Sequence, residues 1–404
     1  MNENSDTPDS GQPAPPTPAT PCESAAPIQS AEPVVREDDR WKRLYSYHGD
    51  GGDLFKIFII NYVLSIITLG FYRFWGKTRI RRYVWSNVEI FNDRLEYTGT
   101  PKELLIGFMV VLFLILFPIF ILPEIILTVT ESENVELQAA IGGAQALLIY
   151  FLIPVALYRA RRYRLSRTQW RGIRGGQTGK AWIYGVSTLF LYALAPFTMF
   201  LTLPHFRRKL SEYRIGHTWF GAAKLDFAPR TGPLFYAFVG AVLLYVAVVV
   251  ILVLFLALMI ALLPNTSWTT DKTFEDLLRT NFTDIVAVYM VVFAIIALAL
   301  STAPYNWYRA REWRYFATCI NFKELRFRFD ISPWGYMFFA TGNNLLVLFT
   351  LGLATPYVYT RYIRYFEARL VYQGDAESQI IAQSTEEGPD RGEGLMDVFD
   401  VGGI

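Results

Sequence analysis

Apolar positions gather into seven long runs, at 54–75, 103–127, 137–158, 181–204, 234–263, 285–305 and 334–358. Runs of about 20 apolar residues match the ~30 Å hydrocarbon core of a bilayer. The runs 103–127, 137–158, 234–263 and 285–305 are nearly free of charge and read as spanning helices. The other three are interrupted, by Thr68-Leu69-Gly70, by Ala195-Pro196 and by Thr350-Leu351-Gly352. Gly and Pro interrupt helices. Between the runs lie arginine-rich stretches and short pieces of β character, such as Val88-Glu89-Ile90 and Leu95-Glu96-Tyr97 around Asn92-Asp93, a dipeptide suited to a tight hairpin. The pattern predicts an all-α polytopic membrane protein with small cytoplasmic β-hairpins.

The positions of Lys and Arg decide how the runs cross. Basic residues collect on the cytoplasmic side of short loops. If all seven runs cross, the two sides receive nearly equal numbers of them, which is no bias. If 54–75, 181–204 and 334–358 enter and return on one side, all of those between the runs fall inside except Lys272 and Arg279. The second arrangement puts both termini in the cytoplasm. It makes those three runs re-entrant or interfacial, against the plainer reading of seven ordinary spans. Backbone that turns at membrane depth needs shielding by protein or a wet cavity.

Ungapped likenesses through polar positions point to internal duplication. PVALYRARRYR at 154–164 matches PYNWYRAREWR at 304–314, an offset of 150. The stretch 61–83 matches 343–365 at an offset of 282. Arg94-Leu95-Glu96-Tyr97 matches Lys224-Leu225-Asp226-Phe227 at an offset of 130. We divide the chain into a Pro-rich head (1–43), two membrane units (44–160 and 161–316), a partial third (317–372) and an acidic tail (373–404). Head and tail are too polar to bury a core and are expected to be disordered.

Composition agrees: 52% of the 404 residues are hydrophobic, 18% are charged, and mean hydropathy is +0.25. The first residues show neither a basic nor an apolar leader region, so no signal peptide is expected. Two cysteines, Cys22 and Cys319, cannot build a metal cluster. Hydrolase, metalloprotease and nucleotide-binding signatures are absent, and no cofactor is expected. The candidate chemistry is cationic: Arg79, Arg82, Arg159, Arg161, Arg309, Arg311, Arg361 and Arg364. Arginine, with interleaved Tyr and Trp, either anchors helices at the interface or pairs with phosphate and carboxylate. The expected partners are membrane lipids or a small anionic ligand. Nucleic acid is not expected, because these residues hug the membrane. His48, Asp50 and Asp53 form a possible loop site, with helix capping as the simpler reading.

The run HGDGGDLFKIFIINYVLSIITLGFYRFWGKTRIRRYVWSN, followed by DRLEYTGTPKELLIGF, resembles the YjgN-like family of bacterial inner-membrane proteins. The resemblance covers 44–372 and is most specific from Gly49 to Gly107. It implies a multi-pass protein of the bacterial cytoplasmic membrane and no established activity, cofactor or catalytic residue. Two functions remain open. One is a membrane module that binds anionic lipid or a small solute, with transporter-like duplication. The other is a membrane enzyme acting on a lipid or isoprenoid substrate.

Overall fold

The structure, a computed structural model, describes residues 41–129 and 134–262 and, except for 292, 296 and 299, residues 289–375. Residues 1–40 of the proline-rich head, nearly all of the acidic tail and the first part of the sixth apolar run lie outside these residues, whereas Lys42, Arg43 and Gln373, assigned to head and tail from the sequence, lie in strands.

One arrangement recurs five times: a short strand, a helix leading away, a helix returning, and a second short strand. The first unit contains β1 (Lys42–Arg43), β2 (Ser46–Tyr47), α1 (Gly51–Ile67), α2 (Arg73–Ser86) and β3 (Val88–Ile90). The second contains β4 (Asp93–Tyr97), α3 (Pro101–Val129), α4 (Val135–Ser166) and β5 (Thr168–Trp170). The third contains β6 (Ile173–Gln177), α5 (Ala181–Leu194), α6 (Leu203–Gly216) and β7 (Thr218–Phe220). In the fourth come β8 (Ala223–Lys224), β9 (Asp226–Phe227), α7 (Gly232–Leu262), α8 (Ala303–Thr318) and β10 (Ile320–Phe322). The fifth has β11 (Leu325–Phe329), α9 (Pro333–Phe349), α10 (Thr355–Glu367) and β12 (Leu370–Gln373).

Local chemistry sets where these helices start. Asp50, Thr100, Asn134 and Ser332 accept from backbone N–H groups at the heads of α1, α3, α4 and α9, and Pro101 and Pro333 occupy first-turn positions. Three helices, Pro101–Val129, Val135–Ser166 and Gly232–Leu258, are long and apolar enough to cross a membrane. The interrupted runs are each two helices. Leu69 and Gly70 have φ of 51° and 89°, and Leu351 and Gly352 have φ of 49° and 89°, so two turns 282 residues apart share one backbone. Left-handed leucine is unusual. Threonine supports it: Thr68 Oγ1 donates to the Leu64 carbonyl (2.7 Å) and accepts from Tyr72 N (2.9 Å). Thr350 repeats this with Leu346 (2.7 Å) and Ala354 (3.1 Å). The third such turn uses Met199 and Phe200, with φ of 47° and 62°. The return helices run on into the arginine-rich stretches, which the apolar pattern alone had left outside the runs.

The β-hairpins are not separate. All pairings are antiparallel, in two sheets ordered β1-β12-β11-β10-β9 and β2-β3-β4-β5-β6-β7-β8. β1 and β2 are the two halves of 42–47; Lys42 faces Tyr372 on one side and Ser46 faces Glu89 on the other. β8 and β9 are the two halves of 223–227, with Lys224 opposite Trp219 and Phe227 opposite Ile320. The two sheets are therefore linked by the chain at both ends, through 42–47 and 223–227, into one circuit. The first hairpin turns at Phe91 and Asn92 (φ 49° and 66°), one residue earlier than Asn92-Asp93 suggests. Phe91, Trp170, Phe220 and Phe322, one from each of four hairpins, cluster with Tyr372 of β12, with Phe91 4.8 Å from Tyr372 and 5.8 Å from Trp170.

The helices close a second circuit in chain order. Contacts include Asn61 with Gly76 (α1 to α2), Phe74 with Phe108 (α2 to α3) and Gln145 with the Ile119 carbonyl (α3 to α4). Tyr158 meets Tyr184 (α4 to α5), Tyr192 meets Phe206 (α5 to α6), and Phe238 meets Tyr308 (α7 to α8). Thr231, just ahead of α7, bonds His205 of α6. Trp313 meets Tyr336 (α8 to α9) and Phe339 meets Tyr365 (α9 to α10). Phe55 against Tyr357 (5.4 Å) joins α1 to α10 and completes the ring.

Candidate functional site

Each return helix carries the same five-residue pattern just before its last turn. The sequences are RIRRY (79–83), RARRY (159–163), KLSEY (209–213), REWRY (311–315) and RYIRY (361–365). The final tyrosine has a structural task. Tyr83 OH accepts from Asp50 N (2.9 Å) and donates to its carbonyl (3.1 Å); Tyr213 OH does the same with Lys180 (3.0 and 3.1 Å). Tyr315 OH accepts from Arg230 N (2.6 Å), and Tyr163 OH donates to Glu103 (2.8 Å). The tyrosine thus locks a return helix to the head of its own outward helix.

The first position is basic in every unit. Arg79, Arg159, Lys209, Arg311 and Arg361 are all exposed. Three residues on, and so on the same helix face, stand Arg82, Arg162, Glu212, Arg314 and Arg364. Arg82 and Arg364 donate to the Gly99 and Gly49 carbonyls of the next unit in the ring, both at 3.0 Å. Arg311 lies over the Trp307 ring (4.1 Å) and Arg361 over Phe339 (5.6 Å). Glu212 is occupied by Arg208 (2.8 Å). Among the described residues, the five first-position cations meet no carboxylate within ion-pair distance. The result is a rim of guanidinium and ammonium groups that repeats around the ring with free hydrogen-bond donors.

Six of the eight arginines proposed from sequence belong to this rim. The other two turn inward. Arg161 donates to the Arg214 carbonyl (3.1 Å), and Arg309 donates to Glu312 (3.0 Å). Glu312 also receives both arms of Arg207, at 2.7 and 2.9 Å, which ties α6 to α8. Burial would lower the Arg207 pKa, but the Glu312 carboxylate outweighs it and holds the guanidinium protonated. Lys209, Arg162 and Arg314 were missed; the spacing of basic residue to tyrosine would have found them.

His48, Asp50 and Asp53 do not converge. His48 Nε2 faces Glu89 (3.1 Å) and Ser46 (3.2 Å). Asp50 caps α1 through Gly52 N (2.7 Å), a bond that holds its carboxyl below the usual carboxylate range. Asp53 pairs with Lys56 (3.0 Å). Among the described residues no three His, Cys, Asp or Glu side chains gather as a metal site.

A mostly helical chain with three helices able to cross a bilayer and a rim of arginines is a membrane protein of the α-helical class. It belongs to the family described as bacterial protein of unknown function, DUF898, which matches residues 43–398. It is similar to the inner membrane protein YjgN of Salmonella typhimurium, 27% identical over 37% of this chain and 36% of that protein. The YjgN of Escherichia coli is 29% identical over 35% of this chain and 32% of that protein. The matched stretch is therefore about a third of these curated relatives' length. No solved structure matches.

Proposed function

We propose that the protein is a multi-pass ring of the bacterial inner membrane that binds anionic phospholipid headgroups around its cytoplasmic rim. The observation that carries this reading is the unpaired cation at one position of all five return helices. Five cations on one circumference suit phosphates arranged around a ring of lipids, and arginine suits their bidentate geometry. Transporter-like passage of a small solute is a further expectation of the same reading, resting on the strand–helix–helix–strand arrangement that recurs along the chain.

Helix length supports the insertion. α1 has 17 residues and α5 has 14, about 25 and 21 Å of helix. α3 and α4 have 29 and 32 residues, about 44 and 48 Å. In this reading the long pairs cross and the three short pairs re-enter. Their tips are exposed and apolar, with Leu69 at 91%, Phe197 at 86% and Leu351 at 92%. The strand circuit, joining 42–47 to 370–373, lies on the cytoplasmic side and brings both ends of the ring there.

Native mass spectrometry of detergent-solubilised protein tests the proposal by counting retained phosphatidylglycerol and cardiolipin. With Arg79, Arg159, Arg311 and Arg361 all changed to Gln, the count should fall, at about 1 kcal/mol per cation near an anionic surface. An unchanged count on a folded variant rejects it.

A further inference from the structure

A second group of cations lies apart from the exposed rim positions, at a cavity. A cavity of about 300 Å³ is lined by α6, α8, α10 and the strands that follow α8 and α10. No outward-leading helix contributes to it. One wall is apolar and aromatic, made by Trp313, Phe316, Phe329 and Phe366. The other carries Ser211, Arg214, Arg309 and Glu312.

Charge is unbalanced there. Glu312 is shared between Arg207 and Arg309, so one carboxylate serves two guanidinium groups. Arg214 adds a third positive charge, and its Nε is buried with no hydrogen-bond partner. Arg161 approaches from α4 onto the Arg214 carbonyl. A buried guanidinium donor left unmet is costly, and an acceptor anion would satisfy it. The volume is at the lower end for small-molecule sites and equals the bulk share of about ten waters.

We infer that this cavity binds a small amphipathic anion, a phosphate or carboxylate on a compact apolar body. The anionic head would sit against Arg214 and Arg309, and the apolar body against Trp313 and Phe366. Nothing in the inference depends on lipid binding at the rim.

Calorimetric titration of the full chain in a neutral detergent, referenced to empty micelles, tests it with hexyl phosphate, hexanol and inorganic phosphate. Hexyl phosphate should bind saturably and more tightly than either alone. Arg214→Gln should weaken it about tenfold, the loss of one charge-assisted hydrogen bond. Ala317→Leu, which fills the cavity without changing charge, should weaken it as well. If Arg214→Gln does not fold, Ala317→Leu decides. Arg79→Gln with Arg361→Gln should leave the affinity unchanged, which separates this site from the rim. Equal binding of hexanol or phosphate, or an affinity unmoved by the cavity variants, overturns the inference.

Discussion

At the scale of single residues, one tyrosine and one cation recur on each return helix with different duties. The tyrosine is structural. Replacing Tyr213 with Phe removes two hydrogen bonds to Lys180 and should cost about 1–2 kcal/mol, read as a lower Tm in detergent. The inward pair is the costlier target. Glu312→Gln leaves Arg207 and Arg309 without their carboxylate and should cost about 3–5 kcal/mol. Asp50 gives a pH signature. Its folded pKa is depressed, so its cap contributes above the unfolded value of 3.8 and fades as pH falls through the folded one. Asp50→Asn, which keeps an acceptor, should flatten the stability profile below about pH 4. Six rim arginines were legible in sequence because charge beside long apolar runs is conspicuous. The inward turn of Arg161 and Arg309 was not, because neighbouring residues on a helix face different sides and only packing says which side is buried.

At the scale of elements, the short helical pairs reverse on left-handed backbone supported by a threonine hydroxyl. The Thr hydroxyl gives the turn an acceptor it would otherwise lack. Thr350→Val should therefore cost about 1–3 kcal/mol by orphaning Ala354 N. A single cysteine at Leu351, in a chain with Cys22 and Cys319 replaced by Ser, should resist polar maleimides from both sides of the membrane. Labelling from the periplasm would show that this tip crosses. Gly and Pro marked these breaks in the sequence, since both interrupt helices. The return helices were harder to see. α2 is rich in charge, so apolar periodicity, the main helix signal, stops before it does.

At the scale of the whole molecule, closure depends on a seam between the two ends of the ring. Tyr45 OH donates to the Ile363 carbonyl (2.9 Å) and Leu44 N to the Leu370 carbonyl (3.0 Å). Ending the chain after Glu367 removes β12 and bares β1 and β11 together. Such edges invite aggregation, so size-exclusion chromatography should show a broad, high-mass species in place of a single peak. None of this was legible from sequence. β1 and β12 are 2 and 4 residues long, too short for a strand pattern, and they pair across nearly the whole chain.

Unequal helix lengths have a further consequence once the ring sits in a bilayer as proposed. Every helix occupies the inner leaflet, but only the long pairs continue into the outer one, so the protein is tapered. Outer-leaflet lipids must then cover the crowns at Leu69, Phe197 and Leu351, and the bilayer is pinched there. A body of that profile would settle in thinner or bent stretches of membrane, drawn by shape as well as by charge.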